Sequence, residues 1–593
     1  MKKIRLLHLL ALLLPLSIAS CNLPSPVIGG GEIVSITLDA PTLELNEGET
    51  HQFIATINPK NATYKSLIWS VTNESVGSVT QNGYFTAKEE GNCFVKFTSD
   101  NNKSDYCFVT VKKAGVIPET TKKINIVAFN DYHGAIKEEG NQMGLLKFGS
   151  FLKTQNDKEN TLILSQGDDW QGSIYSNYNH GALINDVYAY AGVDARTVGN
   201  HDFDWGLDVL AANKNRTYAG KTVPTLAANV YDYNFQTKKV GNTQQSQLGD
   251  KTITYTLENG LKVGIVGVIG EDQITSIMSL YTETIAFKNH IDVIKEEATR
   301  LREDGCDIVI ASVHSGQASV MYQDVDKYVD LVLCGHTHTE EEGNEGMVKY
   351  YQFHAYGLSS GIIELTYDTV TKKVTNTTME CITSSNVSRY TNEIDGNIAA
   401  LIQSYNSECD NEAQVVVANK VSGYFKSSDE SVNVMCKALY DTAVSEGYDD
   451  IVLTYCNTAR KYLPYNVWTY ENLYESFPFD NEVYIVEVDG SDLLNEVAQY
   501  NNVCFNPSFS KQVNRVGYYK VAVIDYLLFH TNSARYYNYF PSYRNIEGTL
   551  SNNYRVLLKN WLISNGYNTG KAMKADDYSS SVSMFNRSLL QEA

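Results

Sequence analysis

The sequence predicts a multidomain protein with an N-terminal β-sandwich, a central α/β domain and a C-terminal α+β domain. Three observations predict this arrangement. The 593 residues are too many for one hydrophobic core. Short alternating segments, broken by Gly, Asn and Pro, run from residue 32 to residue 113. From Ile124 onward, apolar runs of strand length alternate with helical stretches, which is typical of an α/β domain.

The first predicted domain comprises residues 32–113. Segments such as 33–38 and 94–97 alternate apolar with polar residues, and this period of two predicts an all-β sandwich. The domain carries no cluster of residues with catalytic chemistry. We therefore expect it to be a spacer or an adhesive module, and its partner is unknown.

The second predicted domain comprises residues 123–389 and carries the polar clusters of interest. Ligands gather where the strands of α/β sheets end, and here each apolar run ends in such a cluster. A helical stretch covers 291–302. The strands are predicted at 124–129, 161–164, 196–198, 263–268, 307–311 and 330–333.

A charged, helix-like stretch at 390–411 is predicted to link the central domain to a third domain at 412–593. This third domain is rich in Tyr and Asn and mixes helices with strands. We expect it to be globular and separate from the central domain.

The N-terminus has the features of an export signal. Three basic residues within the first five precede an apolar run at 6–18, which is too short for a membrane span. The run ends in an Ile-Ala-Ser-Cys sequence that resembles the bacterial lipobox. We therefore expect a signal peptide at 1–20, a lipid on Cys21 and a flexible tether at 21–31. The rest of the chain is then extracytoplasmic and reaches the bacterial cell membrane only through this anchor.

The ten cysteines are scattered and form no CxxC pair, so we expect a largely disulfide-free protein. Cys93 and Cys107 are predicted either to face each other on neighbouring strands or to be buried apolar residues.

The net charge of −21 excludes some classes of partner. A nucleic-acid polymer or an anionic membrane surface would be repelled by so acidic a chain. An anionic substrate must therefore be attracted locally, and bound metal ions would supply that attraction.

Five clusters of polar residues follow the apolar runs. They place His and Asp beside small residues, which permit close approach of the backbone to a ligand. Asp131 and His133 are two residues apart, so on an extended strand end both side chains are predicted to point the same way. Mixed imidazole and oxygen donors suit a borderline transition metal better than calcium. The clusters are Asn130–Gly134, Gly167–Ser173, Gly199–Asp204, His314 and Gly335–His338.

The order of the five motifs along the chain resembles that of the calcineurin-like metallophosphoesterases, and more narrowly that of the 5′-nucleotidase family. The motifs are, in order, Asp-x-His, Gly-Asp, Gly-Asn-His-Asp, His and Gly-His-x-His. The resemblance implies a β-sandwich flanked by helices for residues 123–389. Segment 32–113 is similar to the bacterial immunoglobulin-like domain of group two, through motifs such as Gly83-Tyr84-Phe85-Thr86-Ala87.

The 5′-nucleotidase resemblance also implies roles for single residues. It implies two divalent metal ions, with Zn, Mn, Fe and Co all suited to the donor set. One ion is held by Asp131, His133, Asp168 and His338, and the other by Asp168, Asn200, His314 and His336. His201 and Asp204 match the catalytic pair of the family. Asp202 departs from the Glu that relatives usually have, but this position is not a ligand.

In the last domain, Phe477–Asn481 and the segment that follows it resemble the substrate domain of the same family. The resemblance implies that Phe479 and Tyr526 stack on a nucleobase and that Arg460 contacts substrate. Two glycine segments of the family are missing, one just before Arg460 and one after Tyr526.

These observations favour a surface 5′-nucleotidase-like phosphohydrolase acting on nucleoside 5′-monophosphates or related nucleotides. A metal-dependent phosphodiesterase acting on 2′,3′-cyclic nucleotides or nucleotide sugars shares the metal site and remains an alternative. A surface adhesin without enzymatic activity is the alternative of another class, although the full ligand set argues against it.

Overall fold

The computed structural model describes residues 31–64, 66–113, 120–391, 393–499, 503–504, 513–529 and 539–578. The chain divides into two compact units, residues 1–120 and residues 121–593. The predicted signal peptide, Cys21 and nearly all of the predicted tether lie outside the described residues.

The first unit is a β-sandwich, as the alternating segments predict. One sheet has the order β2-β9-β8-β5, and smaller sheets have the orders β3-β7-β6 and β1-β4. Trp69, Phe85 and Val95 lie in its core. Cys93 and Cys107 lie on the paired strands β8 and β9 and are buried free thiols. The strands are β1 (Ser35–Leu38), β2 (Thr42–Asn46), β3 (Thr50–Gln52), β4 (Ala55–Asn58), β5 (Leu67–Val71), β6 (Gly77–Val79), β7 (Tyr84–Ala87), β8 (Gly91–Ser99) and β9 (Ser104–Lys112).

The second unit begins with strands and helices that alternate up to residue 303. They are β10 (Thr121–Phe129), α1 (Gly144–Asn156), β11 (Thr161–Ser165), α2 (Ile174–Asn177), α3 (Ala182–Ala191), β12 (Ala195–Thr197), α4 (Leu207–Lys214), β13 (Thr217–Tyr218), β14 (Lys221–Thr222), β15 (Thr225–Leu226), β16 (Val230–Asn234), β17 (Lys239–Gln244), β18 (Thr252–Thr256), β19 (Lys262–Ile269), β20 (Ile285–Phe287) and α5 (His290–Glu303). The strands β21 (Ile308–His314), β22 (Leu331–Cys334), β23 (Glu341–Glu345), β24 (Val348–Gln352), β25 (Ser359–Asp368) and β26 (Lys373–Thr383) follow.

Two six-stranded sheets pack face to face in this part of the chain. Their orders are β15-β12-β11-β10-β25-β26 and β18-β19-β21-β22-β24-β23, and the strands at the centre of each are mainly parallel. Alternate residues of β10, Ile124 and Ile126, point into the core between the sheets. Val127 and Phe129 point outward against α1 and α3. Helix α5 covers the outer face of the other sheet. Because both faces are buried, the strands are continuous apolar runs, and the predicted sandwich flanked by helices is confirmed.

The parallel strands bring the five polar clusters to one place. Parallel neighbours end at the same edge of a sheet, and clusters follow β10, β11 and β12 in one sheet and β21 and β22 in the other. Because the two sheets are stacked, these two edges meet. The candidate functional site lies there.

Helix α6 (Gly396–Ala413) joins the central domain to the last one and overlaps the segment predicted as a linker. The Asp395 carboxylate caps it by accepting hydrogen bonds from the N–H groups of Asn397 and Ile398. The described remainder contains β27 (Val416–Ser422), α7 (Ser428–Ser445), β28 (Leu453–Tyr455), β29 (Asn466–Thr469), α8 (Tyr470–Ser476), β30 (Val483–Asp489), α9 (Gly490–Gln499), β31 (Val503–Cys504), β32 (Tyr518–Ile524), α10 (Asp525–Leu528), β33 (Arg544–Ser551), α11 (Tyr554–Ser564) and β34 (Met573–Lys574).

The last domain has a mixed five-stranded sheet of order β31-β28-β32-β30-β33, so the predicted α+β class is confirmed. Within the described ranges, no helix combines the length and the apolar character needed to cross a lipid bilayer.

Candidate metal and phosphate site

The structure brings all seven predicted ligands into two adjoining groups. The first contains Asp131, His133 and His338, and the second contains Asp168, His314 and His336. Within each group the candidate donor atoms lie within 4.8 Å of one another. Asn200 joins the second group, because its Oδ1 lies 3.2 Å from Nε2 of His314 and 2.9 Å from Nδ1 of His336.

Asp168 lies between the two groups. Its Oδ2 is 3.2 Å from Nε2 of His314 and 3.9 Å from Nε2 of His133. In the first group, Oδ1 of Asp131 is 3.4 Å from Nε2 of His338. Donor atoms that surround one cation at about 2.1 Å lie about 3 Å from each other, so these spacings suit metal coordination. Asp168 is therefore within reach of donors from both groups.

The two carboxylates are each fixed through one oxygen. Oδ2 of Asp131 accepts hydrogen bonds from Asn130 Nδ2 at 2.7 Å and from the His336 N–H at 2.8 Å. Oδ1 of Asp168 accepts one from the His201 N–H at 2.8 Å. The other oxygens, Asp131 Oδ1 and Asp168 Oδ2, are buried and face imidazole nitrogens of the candidate ligands, His338 Nε2 at 3.4 Å and His314 Nε2 at 3.2 Å. A cation bound at the candidate site would compensate the charge of these buried carboxylates.

Two of the histidines are oriented by backbone carbonyls. Nδ1 of His133 lies 2.9 Å from the Gln171 carbonyl, and Nδ1 of His314 lies 2.7 Å from the Gln166 carbonyl. When Nδ1 carries the proton and donates it to the carbonyl, the lone pair of Nε2 faces the site. Burial lowers the pKa of His133 to about 3, which keeps the ring neutral. Neutral imidazole is the form that binds metals.

His314 has the opposite shift, because a buried carboxylate lies beside it. Burial alone would lower its pKa, but the charge of Asp168 and a hydrogen bond to it raise the pKa to about 10. Burial also lowers the pKa of His336, to about 4, and His314 adds to that effect. The negative charge of the two carboxylates thus attracts a cation strongly at this point.

Strained backbone holds the ligands in place. Asp131, His133, Asp168, His336 and His338 all have positive φ, between 48° and 82°. Such conformations are unfavourable for residues with a side chain and cluster at functional sites. The expectation that Asp131 and His133 extend from a strand end is therefore wrong. The strand ends at Phe129, and a tight turn brings both side chains to the site.

One glycine permits the close approach of two of these loops. A Cβ atom at Gly199 would lie 2.1 Å from Oδ1 of Asp168 and 2.6 Å from the Asp168 nitrogen. Glycine is therefore required before Asn200 so that this ligand and Asp168 can meet.

The predicted catalytic pair lies beside the second group. Nδ1 of His201 is 2.9 Å from Oδ2 of Asp204, and both side chains are largely buried. Nε2 of the same ring is 3.1 Å from Nη2 of Arg460, which comes from the last domain. The arginine can only donate, so this contact needs a neutral ring with its proton on Nδ1.

The three predicted substrate-binding residues line one cavity of about 850 Å³ together with His201 and Asp168. The Phe479 ring stacks on His201 with a centroid separation of 5.7 Å, and the Arg460 guanidinium lies 5.2 Å from the same ring. Tyr526 is half-buried in another part of the cavity wall.

Hydrogen bonds to the backbone hold Phe479 at the site. The Phe479 carbonyl accepts a hydrogen bond from Nη1 of Arg555 at 2.6 Å, and that arginine is fully buried. Nδ2 of Asn177, in the central domain, donates to the Pro478 carbonyl at 2.9 Å. The last domain therefore completes a cavity whose floor belongs to the central domain.

Sequence reasoning missed the buried ion network beneath the site. Arg196 is fully buried and donates to Asp169 at 3.0 Å and to Asp202 at 2.7 Å. Asp202 also accepts the Gly199 N–H at 2.7 Å, so the network fixes the loops that carry Asp168 and Asn200. Burial raises the pKa of Asp202 to about 6, although Arg196 opposes the shift. The Asp168-Asp169 doublet was the only signal of this network in the sequence.

Two family models match the chain. Residues 32–109 match the bacterial Ig-like domain (group 2), and residues 124–340 match the calcineurin-like phosphoesterase model. The resemblances stated from the motifs are thereby confirmed for these two segments.

Individual proteins are similar over longer stretches. The endonuclease YhcR of Bacillus subtilis is 22% identical over 530 residues, which cover 78% of this chain and 41% of the relative. A 5′-nucleotidase of Diplobatis ommata is 27% identical over 278 residues, which cover 42% of this chain and 46% of the relative. The chain thus spans less than half the length of these relatives.

A solved structure supports the fold. The 5′-nucleotidase precursor from Thermus thermophilus superposes with a TM-score of 0.58 at 17% identity. The match covers 74% of this chain and 96% of the other. At that identity it shows a shared fold, which includes the last domain.

We expect Arg196→Met to lower the free energy of unfolding by about 3–5 kcal/mol, because it leaves two buried carboxylates without their partner. Urea denaturation followed by tryptophan fluorescence measures the loss. As a control, Lys123→Met removes an exposed ion pair with Glu364 and should cost at most about 1 kcal/mol. Equal losses in the two variants would contradict a positioning role for Arg196.

Proposed function

Residues 124–340 belong to the calcineurin-like phosphoesterases, and from this premise we propose that the chain hydrolyses nucleoside 5′-monophosphates or related nucleotides to nucleoside and phosphate. One observation carries the proposal. Members of both donor groups, Asp168, His336 and His338, line a cavity whose wall also offers a guanidinium and two aromatic rings. This arrangement suits a nucleoside monophosphate, with its phosphate beside the donors and the guanidinium and its flat base against the rings.

We propose that the donor groups hold two divalent cations. Asp131, His133, Asp168 and His338 hold one, and Asp168, Asn200, His314 and His336 hold the other. Zinc, manganese, iron and cobalt all suit these donors. When bound, such a pair neutralises phosphoryl oxygens and lowers the pKa of water toward neutrality. The cations also explain how a chain of net charge −21 attracts an anion.

His201 and Arg460 are proposed to act on the phosphoryl group itself. Asp204 orients the imidazole through Nδ1, so that Nε2 faces the cavity. Nη2 of Arg460 faces the same point, 3.1 Å from that nitrogen. A phosphate that enters between them accepts hydrogen bonds from the guanidinium. Burial lowers the pKa of His201, but the charges of Asp204 and Asp168 raise it overall, so once the guanidinium turns to the phosphate Nε2 takes up a proton from solvent. The imidazolium then stabilises the charge that develops as the ester bond breaks, by hydrogen bonding or by giving that Nε2 proton to the leaving oxygen.

Phe479 and Tyr526 are proposed to bind the base. Both line the cavity that contains His201, and Arg555 and Asn177 fix the backbone on either side of the Phe479 ring. Stacking on an aromatic ring contributes about 1–3 kcal/mol per base and tolerates different bases.

The phosphodiesterase alternative differs only in the substrate. A comparison of three substrates separates the phosphodiesterase from the nucleotidase. It measures release of nucleoside from adenosine monophosphate against turnover of a 2′,3′-cyclic nucleotide and of a nucleotide sugar. The adhesin alternative predicts no metal-dependent release of phosphate from any of them.

We expect Asp168→Ala to reduce kcat for an aryl phosphate by at least about a thousandfold, because it removes the shared ligand of both cations. Phosphate release with added divalent metal measures this, and circular dichroism checks that the fold persists. Asp157→Ala, which changes an exposed carboxylate paired only with Lys153, is the control. Wild-type turnover in Asp168→Ala would refute the bridging assignment. A chelator should abolish the wild-type activity.

We expect Phe479→Ala to raise KM for nucleotides about tenfold more than KM for a small aryl phosphate, because only the nucleotide loses a stacking contact. Steady-state kinetics on both substrates measure the ratio. Because the ring also contacts His201, kcat is expected to fall for both. Equal changes in KM would indicate that Phe479 only supports the histidine.

We also propose that the protein is exported and anchored through a lipid on Cys21, on the strength of the lipobox-like sequence that ends there. We expect Cys21→Ser to abolish incorporation of labelled fatty acid and to shift the protein out of the membrane fraction. Labelling that persists in the variant would contradict the assignment.

A further inference from the structure

We propose that the part of the cavity wall formed by Asn481, Glu482 and Asp525 selects nucleobases that carry an exocyclic amino group, through the carboxylates of Glu482 and Asp525. The inference rests on the proposed nucleotide hydrolysis and deepens it. It names the base class that the cavity prefers, which are adenine and cytosine rather than hypoxanthine and uracil.

The cavity wall carries charges of both signs. Arg460 lies beside His201, among the candidate cation ligands. Asp480, Glu482 and Asp525 add carboxylates to the same wall, which also includes Tyr281 and Tyr526. These carboxylates repel a substrate whose leaving group carries a further negative charge, and they attract a leaving group that donates hydrogen bonds.

The hydroxyl of Tyr281 lies in the negative potential of these carboxylates. Burial raises the pKa of its hydroxyl, and the charges of Asp525, Asp204, Asp480 and Glu482 raise it further. Two of these carboxylates have their own partners, because Asp204 binds His201 and Asp480 binds Arg555. Glu482 and Asp525 have no Arg, Lys or His partner in the described part of the chain.

The backbone fixes Glu482 and Asp525 relative to the ring proposed to stack on the base. The Asp525 N–H donates to the Glu482 carbonyl at 2.9 Å, and the Glu482 N–H donates to Oδ2 of Asp525 at 3.1 Å. Oδ1 of Asp525 accepts the N–H of Tyr526 at 2.7 Å. Glu482 is half-buried and accepts a hydrogen bond from the Tyr484 hydroxyl through Oε2. Two pre-oriented acceptors thus lie next to Tyr526.

A buried donor lies beside these acceptors. Asn481 immediately precedes Glu482, lines the same cavity and is only 5% exposed. Its Nδ2 has no hydrogen-bond partner among the residues that the structure describes. An unpartnered buried donor is costly, and a ligand acceptor would relieve that cost.

This pairing of donor and acceptors matches one class of base. Adenine and cytosine present an amino donor next to a ring nitrogen that accepts, whereas hypoxanthine and uracil present a carbonyl oxygen next to a ring N–H. Burial raises the pKa of Asp525 to about 7, so this carboxylate is a pure acceptor only above that pH, where the substrates are compared. An ionised carboxylate can only accept hydrogen bonds, so it accommodates the amino group and repels the carbonyl oxygen. A site built for a hydrogen bond discriminates against the analogue that lacks it.

The experiment compares kcat/KM for two matched pairs of substrates. In each pair, adenosine with inosine monophosphate and cytidine with uridine monophosphate, the two substrates differ at one edge of the base. The amino group and its accepting ring nitrogen in the first member are replaced by a carbonyl oxygen and a ring N–H in the second. We expect the amino member of each pair to be favoured about tenfold or more. An aryl phosphate with added divalent metal serves as the reference reaction for each variant, because it reports the metal site without a base.

Two isosteric variants test the carboxylates. Glu482→Gln and Asp525→Asn each remove one charge, and we expect each to reduce the adenosine-to-inosine ratio several-fold. Glu487→Gln is the matched control, since Glu487 lies on β30, the strand that Glu482 immediately precedes, but is outside the cavity and binds Arg544. It should keep the wild-type ratio.

Each contrary outcome has a distinct meaning. A wild-type ratio near one, or a ratio that neither isosteric variant changes, overturns the inference while leaving nucleotide hydrolysis intact. Faster turnover of an aminoalkyl phosphate than of adenosine monophosphate overturns it in favour of an alkylammonium group as the donor. If the aryl phosphate is hydrolysed but no nucleotide is, the inference falls with its nucleotide premise. Absence of all metal-dependent hydrolysis overturns the proposed function itself.

Discussion

The confinement of two like-charged carboxylates in one buried place is the constraint on which the site depends. Asp131 and Asp168 are almost fully buried, and each has one oxygen that accepts a backbone hydrogen bond and one that faces an imidazole of the candidate ligand set. Burial of two such groups is unfavourable unless positive charge is present between them. The surrounding imidazoles and the amide of Asn200 provide further donors without adding negative charge. The protein thus holds a strained arrangement that a pair of cations would stabilise.

The stacked sheets make this confinement possible. Strands from both sheets end at the same edge, and loops with positive φ turn donors inward from three stretches of chain, whereas Asn200 lies in a 3₁₀ turn and His314 at a strand end. Beneath the loops, Arg196 ties Asp169 to Asp202 and thereby fixes the loops of two neighbouring strands relative to each other. Because this ion network is fully buried, removal of one member would leave the others uncompensated. The rigidity of the donor set therefore comes from the layer below it.

The central domain provides only half of the cavity. Arg460 and Phe479 reach His201 from the last domain, and hydrogen bonds from Asn177 and Arg555 hold the segment that carries the ring. The same segment continues into Asn481 and Glu482, which line the same cavity. One stretch of chain thus carries both the ring that packs on His201 and the residues proposed to select the base. A change in the packing of the last domain would affect chemistry and selectivity together.

The sequence by itself determined the fold class and the identity of the metal-ligand candidates. Apolar runs of strand length that alternate with helical stretches predicted an α/β domain, and the five polar clusters that follow the runs contain all seven donors. These signals are local, because strand burial and motif order are written in adjacent residues. The conformation of Asp131 and His133 was not predicted correctly, because positive φ depends on hydrogen bonds to the neighbouring loop at Gly167 and Asp168.

Only the tertiary structure decided which distant residues share the cavity. Arg196 reads as an ordinary strand residue, and Tyr281, Glu482 and Asp525 read as ordinary loop or helix-end residues, because nothing beside them in sequence marks their neighbours in space. Their importance arises from contacts between segments that are far apart along the chain, such as Glu482 with Asp525. The effect of a buried charge depends on the groups around it, and those groups come together only in the folded protein.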